Sequence, residues 1–256
     1  MNSLVANQVL GHLQGEQGYY LGLSFHPDEL QAIRLLIEKQ WIENIIKNAP
    51  DACEKFREYG IEKYHELSAL LKHHTAWPKI KRVLPQNAVD YIRSTSLLKA
   101  LEEIYGKFAI SDEENLGREE FYWRLVRPNQ SSDVGPLHAD AWFWELDHGI
   151  TPPGVTRVKV WAAIYCEPGL NGLRVVPGSH KKNWTYHGEY RDGFSKPKID
   201  VEEADLNIIL AETKPGDAII FNDRMLHGGA VNHGKNTRVS IEFTMFVKKM
   251  LLPPPG

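Results

Sequence analysis

The pattern of apolar and polar positions changes character near residue 118. Before that point apolar residues recur at steps of three and four, the spacing of an α-helix with one buried face. After it, short segments rich in β-branched and aromatic residues are separated by Pro and Gly, which is typical of strands joined by turns. We therefore expect a single domain over 1–256, with a mostly helical part at 17–118 and a strand-rich core at 119–250.

The N-terminal part is predicted to contain one strand and three helices. The strand is expected at 17–23, and the helices begin at Pro27, cover 51–74 and cover 87–106. Pro is tolerated in a first helical turn, and the acidic Asp28 and Glu29 suit the positive end of the helix dipole. Gly106 is the expected end of the third helix, and the stretch 77–85 is expected to be a connector.

The C-terminal part is predicted to contain many short strands. The candidates are 120–127, 155–166, 173–176, 217–221 and 237–247. Turn residues such as Pro152-Pro153-Gly154 and Pro215-Gly216-Asp217 lie between them. Such a series favours a sandwich or barrel, and a double-sheet jelly roll is one solution. The long polar segment 183–206 is expected to be a lid or binding loop.

Composition narrows the class of protein. The chain has 256 residues, 42% hydrophobic residues and a net charge of -3, which is unlike a disordered chain. Near-neutral charge gives no electrostatic reason to bind nucleic acid or an anionic membrane. Cys53 and Cys166 form no disulfide framework, and no apolar run approaches the length of a membrane span. We expect a cytoplasmic protein that acts on a small molecule.

Candidate metal ligands occur at His138-Ala139-Asp140 and at His227. On a strand, residues i and i+2 face the same side, so His138 and Asp140 could converge on one ion. Alone, this short match is weak, and a surface pair is the alternative. His227 follows a predicted strand and precedes two glycines, and it is the candidate third ligand. Two His and one carboxylate with open positions are typical of non-haem Fe(II) oxygenases.

Arg238 and Ser240 follow on the next predicted strand and share one of its faces. An Arg on such a strand is costly to bury without an anionic partner, and its planar guanidinium suits a carboxylate. A 2-oxo acid bound at the metal would offer such a carboxylate. The alternative is an internal Arg–Glu pair.

At this point the sequence resembles the phytanoyl-CoA dioxygenase family of Fe(II)/2-oxoglutarate oxygenases. The similar segments are HAD at 138–140, NGLRVVPGSH at 171–180, KPGDAIIFNDRMLHGG at 214–229, TRVS at 237–240 and the opening GYYLGLSFHPDELQAIRLLIE. The resemblance implies a mainly β fold with α, in which N-terminal helices flank a double-stranded β-helix core of jelly-roll or cupin-like type. It implies Fe(II) at His138, Asp140 and His227, 2-oxoglutarate at Arg238, and O₂ as the oxidant.

Further positions follow from the resemblance. Trp161 is the best match for a Trp near 2-oxoglutarate, with a core Trp as the alternative. A basic residue near 79–82 would be a second contact, without a choice among them, and a solvated basic loop is the favoured alternative. The family motif usually has one more residue between Gly172 and Leu173, which leaves open whether Arg174 faces the site. His180 is interpreted as structural, and His148, His187 and His233 as surface residues.

The substrate pocket is less well indicated. Trp142 and Trp144 lie two and four residues after Asp140. If the strand continues, they face the same pocket as Asp140, whereas Phe143 faces away. Trp184 opens the segment expected to form a lid. With Arg174, these residues are the candidate substrate contacts, and barrel packing is the alternative for the two tryptophans.

The resemblance implies hydroxylation of a small metabolite, because Asp140 keeps the carboxylate that halogenating relatives lack. Desaturation and ring closure stay open, as do the site of oxidation and the oligomeric state. The alternatives are a cupin-like metal enzyme that uses no 2-oxo acid, and a non-catalytic jelly-roll binding protein. Arg238 and Ser240 argue against the former, and the intact ligand positions argue against the latter.

Overall fold

A computed structural model describes residues 3–147, 149–191 and 194–249. The helices are α1 (Ser3–Gln14), α2 (Pro27–Asn48), α3 (Cys53–Tyr59), α4 (Tyr64–Leu67), α5 (His73–Ala76), α6 (Gln86–Arg93), α7 (Ser96–Tyr105) and α8 (Asp140–Glu145). The strands are β1 (Tyr19–Ser24), β2 (Ala109–Ile110), β3 (Tyr122–Val126), β4 (Val155–Tyr165), β5 (Leu173–Val175), β6 (Tyr186–Arg191), β7 (Phe194–Ile199), β8 (Ile209–Leu210), β9 (Asp217–Asn222), β10 (His227–Gly229) and β11 (Arg238–Lys248).

Two antiparallel sheets face each other and form the jelly roll that the strand pattern predicts. The major sheet has the order β1-β9-β4-β11-β2, and β3 also pairs with β11. The minor sheet has the order β10-β5-β8. Strands β6 and β7 form a separate hairpin within the segment that was expected to be a lid. Each major-sheet strand therefore presents alternate residues to the minor sheet and to the helices.

The helices cover the outer face of the major sheet. Buried residues of α2 such as Ile37 and Trp41 belong to one apolar cluster with Val160 of β4 and Phe243 of β11. The expected start of α2 at Pro27 is confirmed. Its Glu29 accepts hydrogen bonds from His26 N and from the backbone and hydroxyl of Ser96, so the same carboxylate ties α2 to α7.

Two helix predictions are wrong in detail. The segment 51–74 is not one helix, because α3 ends at Gly60, whose φ of +72° takes the chain out of the helical region. Short turns and α4 and α5 follow it. The segment 87–106 is divided by the extended Thr95, whose hydroxyl donates back to Ile92 O. Its end at Gly106 is confirmed, and α1 was not predicted.

Among the described residues, no helix is both long and apolar enough to cross a membrane. His148 and the C-terminal residues 250–256 lie outside the described part of the chain.

Candidate metal centre

His138 and His227 are paired at the edge of the minor sheet. They form a two-residue antiparallel bridge, in which each backbone N–H donates to the other residue's carbonyl, at N–O distances of 3.0 and 2.9 Å. Directly opposite residues of an antiparallel pair place their side chains on the same face. The two imidazole ring centroids accordingly lie 4.6 Å apart.

Asp140 reaches the same place from a helix. The prediction that His138 and Asp140 share a strand is wrong, because Ala139 is extended but Asp140 is the first residue of α8. The N–H of Ala141 donates to Asp223 O at 2.9 Å, so a distant backbone group fixes the start of this helix. The turn into the helix brings the Asp140 carboxylate to the two histidines.

The three side chains could hold a metal ion. One ligand atom from each of His138, Asp140 and His227 lies within 4.8 Å of the others. Both Nδ1 atoms contact carbonyl oxygens, those of Pro136 at 3.0 Å and Met225 at 2.9 Å. Because those carbonyls accept hydrogen bonds, each Nδ1 carries the proton and each Nε2 is free to bind a metal. The donor set fits a divalent transition metal.

Electrostatics favour the protonation states that metal ligands need at His138 and Asp140. Burial and the neighbouring His227 ring lower the pKa of His138 to about 4, so its imidazole is neutral at neutral pH. Burial opposes ionisation of Asp140, but nearby positive charge, that of Lys159 above all, outweighs it. The pKa of the Asp140 carboxyl therefore lies well below its usual range.

Arg238 and Ser240 lie deeper in the barrel, on the inner face of β11. Arg238 is 1% exposed and Ser240 is fully buried, and neither Arg238 Nε nor Ser240 Oγ has a hydrogen-bond partner. One Arg238 Nη donates to Gly172 O. Among the described residues, no carboxylate lies within 4.0 Å of the guanidinium nitrogens. Burial lowers the pKa of Arg238 to about 10, which an anion bound there would oppose.

Trp161 lies beside this guanidinium, as its predicted role requires. Its ring centroid is 5.7 Å from Arg238 Cζ, and its side chain packs between the two sheets with Phe221 and Met225. Trp161 is also a core residue, since it is only 1% exposed. The role at 2-oxoglutarate stays a prediction.

The structure adds charged residues that the sequence prediction missed. Lys159 is two residues before Trp161 on β4, and Glu242 and Thr244 continue the face of Ser240 on β11. Glu242 pairs with Arg124 Nε at 3.2 Å, so the internal Arg–Glu pair exists at Arg124 and not at Arg238. The period-two rule that grouped Arg238 with Ser240 would also have grouped these residues.

Three of the four candidate substrate residues lie on the outer side of the minor sheet. Trp142 stacks on Tyr186 with ring centroids 4.4 Å apart, and Trp184 packs in the same apolar cluster and donates to Ser179 O. Arg174 alternates with the inward-facing Leu173 and Val175 and pairs with Glu203 at 2.6 Å. The three side chains therefore do not point toward the triad, because the strand period does not apply to α8 and Arg174 faces outward, and their contact with substrate stays a prediction.

Aromatic residues near the triad are Phe143 and Trp144. Phe143, expected to face away, lies edge-on to the His138 ring with a centroid distance of 5.3 Å. Trp144 contacts Phe246 on the inner face of β11 and lies under the guanidinium of Arg157, 5.2 Å from its ring centroid. Trp144 stays a candidate substrate contact.

Two basic residues of the connector at 79–82 have different partners. Arg82 donates to the carbonyls of Trp77 and Trp123, whereas Lys79 contacts Glu113 at 2.7 Å and Glu120 at 2.9 Å. Lys79 is therefore neutralised by carboxylates. His180 packs against Gly18, away from the triad, and His187 and His233 are exposed, as expected.

The fold and the donor set are those of a jelly-roll metal oxygenase, and comparisons with known proteins assign the family. The model of the family described as phytanoyl-CoA dioxygenase (PhyH) matches residues 31–240. The chain therefore belongs to this family of non-haem iron/2-oxoglutarate enzymes. It is 26% identical over 138 residues to the dioxygenase FrzG of Cladobotryum sp, a match that covers 52% of this chain and 43% of FrzG.

Solved structures share the fold. SnoK, a non-haem α-ketoglutarate-dependent carbocyclase from nogalamycin biosynthesis, matches with a TM-score of 0.56 and 14% identity over 94% of this chain and 83% of its own. AviO1 from Streptomyces viridochromogenes Tue57 matches with a TM-score of 0.55 and 13% identity over the full length of both chains. Both chains therefore carry this architecture with few shared residues.

Proposed function

We propose that this chain is an Fe(II)- and 2-oxoglutarate-dependent oxygenase that hydroxylates a C–H bond of a small metabolite and releases succinate and CO₂. The proposal rests on two features that lie in the same barrel interior. Two Nε2 atoms and a carboxylate converge at the mouth, and deeper on β11 lies a buried guanidinium that no carboxylate of the described residues approaches within 4.0 Å.

Each residue has a defined task in this proposal. His138, Asp140 and His227 hold Fe(II) on one face and leave its other positions open. Arg238 and Ser240 bind the distal carboxylate of 2-oxoglutarate, for which Arg238 Nε and Ser240 Oγ are available. With O₂, this cofactor pair supplies an oxidant that can take hydrogen from a C–H bond.

Three further residues shape the surroundings of the bound groups. Trp161 closes the side of the Arg238 guanidinium. Phe143 and Trp144 give the mouth an apolar wall that would contact the substrate and exclude water. A small molecule is the favoured substrate, because the net charge of -3 gives no attraction for a polyanion.

The test is succinate formation from 2-oxoglutarate with Fe(II) in air, with His138→Ala and Arg238→Met as variants. We expect slow succinate formation by the wild type even without the substrate, and its loss in both variants. A wild type that binds no iron would contradict the proposal. Iron binding without any succinate would favour the cupin-like alternative, and turnover that persists in Arg238→Met would remove Arg238 as the anchor.

Product analysis comes after a substrate is found. SnoK is named a carbocyclase, so ring closure and desaturation are products to be sought beside the hydroxylated one. A panel of candidate small molecules that stimulates succinate release, followed by mass measurement of the product, distinguishes a gain of one oxygen from a loss of two hydrogens.

A further inference from the structure

Lys159 is a buried lysine on the inner face of β4, beside the candidate metal ligand Asp140. Its side chain is 4% exposed, and its Nζ lies 3.5 Å from Asp140 Oδ2. A buried ammonium is costly unless anions or hydrogen-bond acceptors compensate it. The flanking Val158 and Val160 belong to the outer apolar cluster, whereas Lys159 faces the barrel interior. Asp140, Glu113 and Glu242 offset the cost of burying its charge there, and Asp140 contributes most.

Two hydroxyls of the major sheet contact the ammonium in addition to Asp140. Lys159 Nζ lies 3.4 Å from the Tyr122 hydroxyl and 3.5 Å from the Thr244 hydroxyl. Thr244 is directly opposite Lys159 in the pairing of β4 with β11, and Tyr122 comes from β3 on the far side of β11. Three strands thus place one positive charge at a defined point.

Asp140, by contrast, has little to hold its carboxylate. Its Oδ2 atom is buried and has no hydrogen-bond partner. Its contacts with the imidazoles are long, since Oδ1 lies 3.7 Å from His138 Nε2 and Oδ2 lies 3.7 Å from His227 Nε2. Of the lysines and arginines in the described part of the chain, Lys159 alone brings a side-chain nitrogen within 4.0 Å of this carboxylate.

We propose that Lys159 is a positioning residue for the metal centre, which holds the Asp140 carboxylate in one orientation between His138 and His227. The inference rests on the proposed function only in that the triad binds a divalent ion. Groups that orient a metal ligand commonly contribute 10- to 100-fold in metal affinity. On this view β4 serves both parts of the site, with Trp161 beside the Arg238 guanidinium and Lys159 beside the iron carboxylate.

The charge of Lys159 and its orienting role have opposite effects on metal affinity. A cation near a divalent ion repels it, so at a pH at which Asp140 is ionised in both wild type and variant, loss of that charge alone would tighten metal binding. Loss of orientation would weaken metal binding. The direction of the change in a Lys159→Met variant therefore separates a positioning residue from a buried charge without such a role.

The experiment is an equilibrium titration of the metal-free full-length protein with Mn²⁺, in which free Mn²⁺ is measured by electron paramagnetic resonance. No 2-oxoglutarate or substrate is present. We expect Lys159→Met to raise the Kd for Mn²⁺ by about 10-fold or more, with an unchanged circular dichroism spectrum. An affinity equal to or tighter than that of the wild type would overturn the proposal.

A second variant keeps the test decisive if Lys159→Met does not fold. The double change Tyr122→Phe and Thr244→Val removes both hydroxyls that place the ammonium but keeps its charge and leaves Asp140 untouched. We expect Mn²⁺ binding that is weaker by several-fold, on the order of the supporting-residue effects known for metal sites. Unchanged binding in this variant counts against a positioning role.

Lys79→Met is the matched control. Lys79 is also a lysine among carboxylates and shares Glu113 with Lys159, but its partners Glu113, Glu114 and Glu120 are not in the triad. Its loss should leave the Mn²⁺ affinity within about 3-fold of the wild type, well below the 10-fold effect of a supporting residue. A wild type that binds no Mn²⁺ would contradict the proposed function, whereas normal binding by Lys159→Met would contradict only the role of Lys159.

Discussion

His138 and His227 donate their backbone N–H groups to each other's carbonyls, and their rings lie 4.6 Å apart on one face of the minor sheet. The pairing uses backbone atoms only, so it does not depend on a bound ion. Two candidate metal ligands that are far apart in the sequence are therefore adjacent in the folded chain. The side chains can be changed without loss of the bridge that places them.

The first prediction follows from this bridge. His227→Ala should keep the fold but weaken Mn²⁺ binding by about 100-fold or more, because removal of a ligand costs more than removal of a supporting residue. The measurements are Mn²⁺ titration and circular dichroism. His187→Ala is the control, since His187 is 55% exposed on the hairpin. Wild-type affinity in His227→Ala would exclude His227 as a ligand.

The second prediction concerns the anchor. Arg238→Met should weaken 2-oxoglutarate binding roughly 10- to 100-fold, because hydrogen bonds to charged groups contribute about 1.5–3 kcal/mol. Metal affinity should not change. Calorimetric titration of the Mn²⁺-loaded protein without O₂ measures the effect. Arg174→Met should bind 2-oxoglutarate normally, because Arg174 faces outward toward Glu203, and equal binding by the Arg238 and Arg174 variants would refute the assignment.

The third prediction concerns the outer face of the major sheet. Phe243 is 1% exposed, and its ring lies 4.7 Å from that of Phe121. Phe243→Ala should lower the free energy of unfolding by about 3–5 kcal/mol, as large cavities in cores do. Urea unfolding measures this change. Leu35→Ala, at a side chain 56% exposed on α2, should change it by less than about 0.5 kcal/mol. A comparable loss in both would contradict the assigned core.

The fourth prediction is a pH dependence of stability. Burial lowers the pKa of His73 to about 4, and its ring contacts the Tyr64 hydroxyl and Asp133. The unfolded chain has the higher pKa, near 6.5, so it takes up the proton first as the pH falls. The free energy of unfolding should therefore be highest above pH 6.5 and fall toward pH 4 by up to ~3 kcal/mol.

His73→Gln tests this pH dependence, since glutamine does not titrate. The variant should lose the part of the decline between pH 6.5 and pH 4, as measured by urea unfolding at a series of pH values. If wild type and variant show the same decline over that range, His73 is not its source.

The strands and the inward-facing position of Arg238 could be predicted because they depend on local period. Alternation along 155–166 and 237–247 places residues on faces whatever the rest of the chain does. The structure has strands at Val155–Tyr165 and Arg238–Lys248, and Trp161 and Arg238 meet as their parity requires. The same alternation places the charged residues Lys159 and Glu242 on the inner face.

The local structure at Asp140 could not be predicted in this way. The change from extended chain to helix depends on a hydrogen bond from Ala141 N to Asp223 O, a residue far along the sequence. Once α8 begins, alternate residues no longer face the same side. Trp142 therefore stacks on Tyr186 on the outer side, and Phe143 contacts His138. The break at Thr95 likewise depends on its hydroxyl returning to Ile92 O.

The two faces of the major sheet differ in what a mutation there would affect. The outer face holds the apolar cluster with the helices, and the inner face holds Lys159, Glu242, Arg238 and Ser240. The helices therefore rest on residues that the barrel interior does not use, and the scaffold itself persists at 13–14% identity in AviO1 and SnoK.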